Sequence, residues 1–218
     1  VAASPAFADG VPVISLAKGL EVGTLRRVSE VIREELDAAG HGNPVAVLLG
    51  PSHAEEVAAE MPPAVVLSGE PRTDWGEWQR LISGPFFRVY TNDDMLGVEV
   101  SSGFKNVIAL AVGLCDGLGM GDNTRGTLMT RGMAELARIT TALGGRLETC
   151  FGLAGIGDMI TTCISRHSRN RNFGEAVARD PRPPQQILAA SVQVVEGVAM
   201  TQAALKLGEK FGIELPIV

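Results

Sequence analysis

The amino-acid sequence predicts an α/β domain with a parallel sheet over residues 1–94 and an all-helical domain over residues 95–218. In the first part, short apolar runs alternate with segments of helical periodicity, as in parallel strands joined by helices. After Asn92-Asp93-Asp94 the strand signals end, and long segments with helical spacing follow. The domain boundary is therefore expected near residue 94.

Four apolar runs in the first domain predict strands, at residues 11–17, 45–49, 64–67 and 86–90. The clearest helix between them covers residues 25–36, where Leu25, Val28, Ile32 and Leu36 recur every three to four positions and Gly40 is a plausible stop. Two further helices are expected at residues 53–59 and 75–82.

The second domain is expected to consist of helices. Residues 95–118 and 127–143 carry the longest helical patterns, and Gly144-Gly145 ends the second of them. A further helix should begin near Asn170 and another should span about residues 195–211, whereas residues 181–184 are interpreted as a short loop.

Charge and composition narrow the class of protein. The 218 residues include 19 basic and 25 acidic side chains, a net charge of −6 that disfavours nucleic acid as a partner. The longest strongly apolar stretch, residues 107–115, is much shorter than the roughly 20 residues that cross a bilayer, so no membrane span is expected. Three cysteines without a CxxC pair fit a reducing compartment, which predicts a cytoplasmic protein, and the scattered histidines predict no metal site.

Lysine is scarce, since the 19 basic residues are 15 Arg and four Lys. Lys18 follows the first predicted strand, where open α/β sheets bind ligands, and Lys105 lies in a largely apolar helix. An ammonium can lose its proton and a guanidinium in practice cannot, so these two lysines are candidates for proton transfer. Lys206 and Lys210 are interpreted as solvent-facing residues of one helix.

A cationic stretch without Asp or Glu spans residues 159–174. Its Arg forks, together with Ser168, Asn170 and the N–H groups at a helix start, suit a phosphate or carboxylate. A solvated basic turn or a salt-bridged loop is the alternative. Just ahead of the cationic residues, Asp158 follows two glycines and either orients an ammonium or caps a helix.

Gly50-Pro51-Ser52-His53 forms a predicted turn between a strand and a helix, where backbone N–H groups and a hydroxyl can meet a ligand, although most such turns are only turns. His53 is interpreted as a packed side chain rather than a base. No predicted strand is followed by GxGxxG, and the glycines of residues 117–121 follow a helix instead.

Eight motifs follow one another along the chain. They are Leu16-Ala17-Lys18-Gly19-Leu20-Glu21, Gly50-Pro51-Ser52, Gly103-Phe104-Lys105-Asn106-Val107, Gly117-Leu118-Gly119-Met120-Gly121-Asp122-Asn123, Gly155-Ile156-Gly157-Asp158, Ser165-Arg166-His167-Ser168-Arg169-Asn170-Arg171, Val194-Val195-Glu196-Gly197 and Glu214-Leu215-Pro216-Ile217-Val218. In this order they resemble the bacterial NAD(P)-dependent glycerol-3-phosphate dehydrogenases over nearly the whole chain.

The resemblance implies that residues 1–94 are the C-terminal half of a Rossmann-like dinucleotide-binding domain and that residues 95–218 are most of a helical substrate-binding domain. Members of this family begin with a strand and a GxGxxG turn and continue past the Pro-Ile-Val stretch. The sequence is therefore expected to be a fragment that lacks both ends and has little dehydrogenase activity alone.

The implied reaction is reversible hydride transfer between NAD or NADP and C2 of sn-glycerol 3-phosphate or dihydroxyacetone phosphate, which feeds glycerophospholipid synthesis. Lys105 would transfer the proton, Lys18 would lower its pKa by charge repulsion, and Asp158 would orient it. The implied substrate-binding residues are Lys18, Gly50, Ser52, Lys105, Asp158, Ser168, Arg169 and Asn170. The implied cofactor-binding residues are Lys18, Ala54, Arg169, Val194 and Glu196.

The resemblance implies an enzyme that takes a small phosphorylated substrate and needs no metal. A homodimer is one assembly that the sequence leaves open. Two alternative hypotheses stay open, namely a non-catalytic anion-binding or oligomerisation module and another Rossmann-plus-helical reductase of a phosphorylated or carboxylated substrate. The sequence departs from the family pattern at Ser101-Ser102-Gly103-Phe104, and at His53, where Phe is usual.

Overall fold

A four-stranded sheet with three helices precedes a bundle of helices in the computed structural model, which describes residues 10–191 and 193–218. The start of the predicted first domain, residues 1–9, lies outside the described residues. The strands are β1 Val13–Ser15, β2 Val45–Leu49, β3 Ala64–Gly69 and β4 Arg88–Thr91. The helices between them are α1 Val28–Ala38, α2 Ala54–Ala58 and α3 Trp75–Ile82.

The sheet is mixed, which corrects the prediction of a parallel one. In the order β1-β2-β3-β4, the outer pairs are parallel and β2 pairs antiparallel with β3. The physical reason is the shortness of α2. A parallel pair needs a crossover that carries the chain back along the sheet, but five helical residues rise only about 7.5 Å, against about 16 Å for five strand residues. The chain therefore stays at the carboxyl end of β2, and β3 returns from there.

The helical part begins with α4 Met95–Gly117, close to its predicted bounds. The helices that follow are α5 Gly121–Ala142, α6 Leu147–Cys150, α7 Asp158–Ile164, α8 Arg169–Arg179, α9 Pro184–Ala190 and α10 Glu196–Phe211. A π-helical turn, Leu153–Gly157, joins α6 to α7. Sequence periodicity did not predict α6, α7 or α9, because helices of four to seven residues contain at most two turns of pattern.

α4 is the central helix of the molecule. It packs against α5, α7, α8, α10 and β2, and its side chains Val100, Phe104, Ile108 and Val112 are completely buried. This burial explains why α4 is more apolar than a surface helix, and it also encloses polar side chains that a surface helix would expose to water.

Two segments, Met95–Gly117 and Leu147–Ile164, are long and apolar enough by length and composition to cross a membrane. In α4, 83% of the apolar window is buried inside the protein. The second segment is divided into α6, the π-helical turn and α7. α4 is therefore apolar because it forms part of the core. Its apolar pattern extends well beyond residues 107–115, the longest strongly apolar stretch that the sequence indicated.

Candidate active site

The ends of β1 and β2 face α4, α7 and the start of α8 across a cleft of about 640 Å³. Its polar and charged lining residues are Lys18, Ser52, His53, Glu55, Lys105, Asn106, Thr162, His167, Ser168, Arg169, Asn170, Gln193 and Glu196. Residues far apart in the sequence meet here, and cationic side chains stand on both walls.

Asp158 holds two ammonium groups beneath this cleft. One carboxylate oxygen contacts Lys105 Nζ, and the other lies 2.8 Å from Lys18 Nζ. Lys105 also donates to Thr162 Oγ1 at 2.6 Å, and Thr162 donates to the Asp158 carbonyl at 2.6 Å. Two cations share one carboxylate, so the cluster carries an excess positive charge.

Burial and charge together change the acidity of Lys105, which is only 3% exposed. Burial lowers the pKa of Lys105 from 10.5 to about 7. The charge of Asp158 opposes this decrease in pKa, and repulsion from Lys18 adds to it. The amine can therefore both hold and release a proton near neutral pH, as a general acid–base group requires.

Lys18 reaches Asp158 because the loop after β1 lies directly on α4. A Cβ at Gly103 would lie 2.9 Å from the Cα of Gly19, so a glycine on the helix is what permits this approach. Lys18 Nζ also donates to the carbonyl of Gly50 at 3.2 Å. Gly50 has a φ of 146°, and a Cβ there would lie 3.1 Å from Val65 Cα, so the turn after β2 requires glycine as well.

The start of α8 forms the opposite wall of the cleft. Ser168 caps the helix by accepting the N–H of Arg171 at 3.2 Å. Arg169 pairs with Glu196 at 2.8 Å, and Asn170 Oδ1 accepts the N–H of Gly197 at 2.8 Å. The first turn of α10 therefore holds Arg169 and Asn170 in place.

The predicted cationic stretch divides between two roles. Arg169 lines the cleft, whereas Arg171 pairs with Asp116 of α4 at 2.6 Å. The prediction of an anion-binding stretch therefore fits the position of Arg169, and the alternative of a salt-bridged loop fits Arg171.

The structure brings most of the predicted site residues together. Those that line the cleft are Lys18, Ser52, Ala54, Lys105, Ser168, Arg169, Asn170 and Glu196. Gly50 and Asp158 lie behind the lining and hold the lysines. Asp158 does not cap a helix, because Gly157 is the N-cap of α7. Val194 is 72% exposed, and it is not one of the described residues that line the cleft.

Sequence reasoning missed Thr162 and gave Asn106 no role of its own. Thr162 follows Asp158 by four residues on α7, and this spacing was the available signal. Asn106 lines the cleft, and its Nδ2 is buried with no hydrogen-bond partner among residues 10–191 and 193–218. Within the same described ranges, no three His, Cys, Asp or Glu side chains are grouped so as to hold a metal ion.

A sheet domain and a helical bundle, with a buried lysine–carboxylate cluster beneath the cleft between them, fit a two-domain enzyme that uses acid–base chemistry. The comparison with family models makes the assignment specific. The chain belongs to the NAD-dependent glycerol-3-phosphate dehydrogenase family, whose N-terminal model matches residues 2–74 and whose C-terminal model matches residues 94–218.

Individual relatives agree with this assignment. Glycerol-3-phosphate dehydrogenase (NAD(P)+) of Clostridium botulinum (strain Eklund 17B / Type B) is 51% identical over 205 residues, which are 94% of this chain and 60% of that protein. The protein of the same name from Moorella thermoacetica is 49% identical over 214 residues, which are 98% of this chain and 62% of that protein. The chain thus spans about 60% of the length of the curated relatives it matches.

Solved structures share the fold. The glycerol-3-phosphate dehydrogenase of Coxiella burnetii superposes with a TM-score of 0.83 at 38% identity, over 94% of this chain and 62% of that one. The structure from Dunaliella salina gives a TM-score of 0.82 at 26% identity, over 97% of this chain and 37% of that one. These matches confirm the family resemblance and the Rossmann-like domain followed by a helical one.

Proposed function

We propose that the protein carrying this chain transfers a hydride reversibly between NAD or NADP and C2 of sn-glycerol 3-phosphate or dihydroxyacetone phosphate. The observation that carries the proposal is the cluster of Lys105, Asp158 and Lys18 beneath a cationic cleft. In this proposal residues 1–94 belong to the dinucleotide-binding domain and residues 95–218 form the substrate-binding domain.

The substrate phosphate would bind at the start of α8. Arg169 has five N–H donors, of which Glu196 accepts one in the hydrogen bond of 2.8 Å. The remaining donors, the Asn170 side chain and the positive end of the helix dipole together favour a phosphate. Ser168, capping the same helix, lies beside it, and Ser52 faces it from the turn after β2.

Lys105 would move the proton at the C2 oxygen. In the reducing direction its ammonium donates a proton to the carbonyl oxygen, and in the oxidising direction its neutral amine accepts the hydroxyl proton. When bound, the nicotinamide supplies or accepts the hydride at C2. Asp158 and Thr162 hold Nζ in place, and Lys18 lowers the pKa of Lys105. The Lys105 ammonium also stabilises negative charge that develops on the oxygen.

The residues present fit the nicotinamide end of the cofactor. Lys18, Ala54, Arg169 and Glu196 line the cleft, with Val194 exposed beside Gln193, and the unpartnered amide of Asn106 is available to a polar ligand group. The sequence has no GxGxxG turn after a strand, so these residues do not provide a pyrophosphate site. For this reason the 218-residue chain alone is expected to show little turnover.

The proposal also includes the cellular location of the protein. Three free, buried cysteines support a reducing, cytoplasmic location, where the product would enter glycerophospholipid synthesis.

We also propose a homodimer, supported by the exposed apolar side chains Phe151, Ile160 and Ile164 near α7, which a second copy would cover. Sedimentation of the full-length protein tests this assembly, since a monomer at all concentrations would contradict it.

A direct spectrophotometric assay, which follows the absorbance of NADH or NADPH, tests the reaction. The full-length protein should oxidise NADH or NADPH when dihydroxyacetone phosphate is added, and it should not respond to unphosphorylated dihydroxyacetone. Turnover with a carboxylated ketone but not with dihydroxyacetone phosphate would instead support another reductase. A protein that oxidises neither cofactor with any of these substrates would contradict the proposal.

A further inference from the structure

His53 places an unpartnered imidazole nitrogen in the cleft. It follows Ser52 and directly precedes α2, and its carbonyl accepts the N–H groups of Glu56 and Val57, so its backbone position is held. Its Nε2 is buried, and within the described part of the chain it has no hydrogen-bond partner. Leaving a buried nitrogen unpaired costs free energy, and a ligand that binds this nitrogen would relieve the cost.

The surroundings of His53 indicate the kind of ligand. His167 lies across the cleft with its ring centroid 6.1 Å from that of His53, one position before the Ser168 cap of α8. An anion held at the start of α8 would therefore lie within reach of both rings.

Charged groups from four elements act on His53. Lys105 of α4 and Lys18 of the loop after β1 repel a proton on it, while Asp158 of α7 and Glu56 of α2 attract one. Burial, together with Lys105 and Lys18, lowers the pKa of His53 below its ordinary value of 6.5. The imidazole is therefore mostly neutral at pH 7 in the free protein, and an added dianion would shift this balance towards the protonated ring.

We infer that His53 is a further substrate-binding residue, whose Nε2–H donates to the substrate phosphate and which takes up a proton when that phosphate binds. This inference rests on the proposed function. It makes affinity for the phosphorylated substrate depend on pH through His53.

Calorimetric titration of sn-glycerol 3-phosphate into the full-length protein tests the inference. Titrations near pH 7 in buffers of different ionisation enthalpy count the protons taken up on binding. The substrate phosphate and Lys105 also exchange protons near pH 7, and both are present in every variant. The difference in proton uptake between the wild type and a His53 variant is therefore assigned to His53. We expect His53→Gln to bind about tenfold more weakly and to take up fewer protons than the wild type.

Two further variants keep the test decisive. His53→Phe retains an aromatic ring and should reproduce the loss of proton uptake in a folded protein. His41→Gln is the matched control, because His41 precedes the opposite end of β2, and it should titrate like the wild type. Unchanged proton uptake in both His53 variants overturns the inference, whether or not affinity falls. If the wild type itself fails to bind sn-glycerol 3-phosphate, the proposed function fails with it.

Discussion

At the residue scale, the proposed chemistry depends on one buried carboxylate serving two amines. Asp158 accepts from Lys105 and Lys18, and while Lys105 is protonated the three groups carry two positive charges against one negative charge. Thr162 accepts a second N–H of Lys105 at 2.6 Å. One N–H of the Lys105 ammonium therefore remains for a substrate oxygen. The pKa of about 7 lets this ammonium lose a proton near neutral pH.

Replacement of Lys105 by Arg tests its role in proton transfer. The Lys105→Arg variant of the full-length protein keeps the positive charge but cannot release a proton, so kcat should fall by about 10² to 10⁴ in both directions. Lys206→Arg, on the exposed side of α10, is the matched control and should keep wild-type kcat. A Lys105→Arg variant with retained kcat would remove this residue from the role.

The pH profile tests the influence of Lys18 on Lys105. Oxidation of the alcohol needs the neutral amine, which forms above the pKa, so wild-type kcat/KM for oxidation, which reports groups of the free enzyme, should rise with pH through about 7. The reducing direction needs the ammonium and should decline through the same range. Removing the repulsion in Lys18→Met raises the pKa of Lys105, so the midpoint of the oxidation profile should move to higher pH.

Lys18→Arg is the control for this profile, because it keeps the charge and should leave the midpoint near its wild-type position. A midpoint in Lys18→Met that stays in place or moves to lower pH would show that Lys18 does not set the acidity of Lys105.

At the scale of elements, the contact between the loop after β1 and α4 controls the position of Lys18. An added Cβ at Gly103 of α4 would lie 2.9 Å from the Cα of Gly19, so the helix has no space for a side chain at Gly103. In contrast, a Cβ at Gly126 of α5 would have no heavy atom within 4 Å. Gly103 and Gly126 both have the low helix propensity of glycine, but only Gly103 is tightly packed.

The two glycines make a matched pair for measurement. Gly126→Ala should raise the free energy of unfolding by up to about 1 kcal/mol, because Ala favours the helix. Gly103→Ala should lower it by about 1–3 kcal/mol, because the loop must move away from α4. Urea denaturation measures both changes, and kcat should fall only for Gly103→Ala. A stabilised Gly103→Ala variant would contradict the tight contact.

At the scale of the whole molecule, Glu99 connects the α/β part to the helical part. This α4 side chain is 2% exposed and accepts from the Ser29 N–H at 3.0 Å and the Ser29 hydroxyl at 2.6 Å. It also pairs with Arg27 at 3.0 Å. Arg27 is the N-cap of α1 and Ser29 lies in its first turn, directly after the loop that begins after β1. Glu99 therefore holds the far end of the segment that carries Lys18.

Glu99→Ala tests this connection. The change leaves the Arg27 charge and two donors of Ser29 without their buried acceptor, so the free energy of unfolding should fall by about 3 kcal/mol. Glu30→Ala removes an exposed partner of the same Arg27, including the carboxylate oxygen that accepts the Arg27 N–H at 2.8 Å, and should cost about 1 kcal/mol. Chemical denaturation compares the two. Equal losses in the free energy of unfolding would show that Glu99 stabilises the protein no more than an exposed ion pair does.

The sequence by itself determined the elements whose pattern is long enough to be unambiguous. The bounds of β2 and α3 agree with the predicted residues, and α4 and α10 differ from prediction by a residue. The motifs also pointed to the family and singled out Lys18, Lys105 and Asp158 one by one. These features depend on residues within a few turns or a few strand positions of each other, so periodicity and local spacing encode them.

Only the tertiary structure decided how these elements meet. Strand direction in β2 and β3 followed from the reach of α2, which no apolar pattern reports. Lys18 and Asp158 are 140 positions apart and Lys105 and Asp158 are 53 apart, yet all three form one cluster. The pKa of Lys105 depends on this meeting, because desolvation and Coulomb interactions act through space and arise only after the chain has packed.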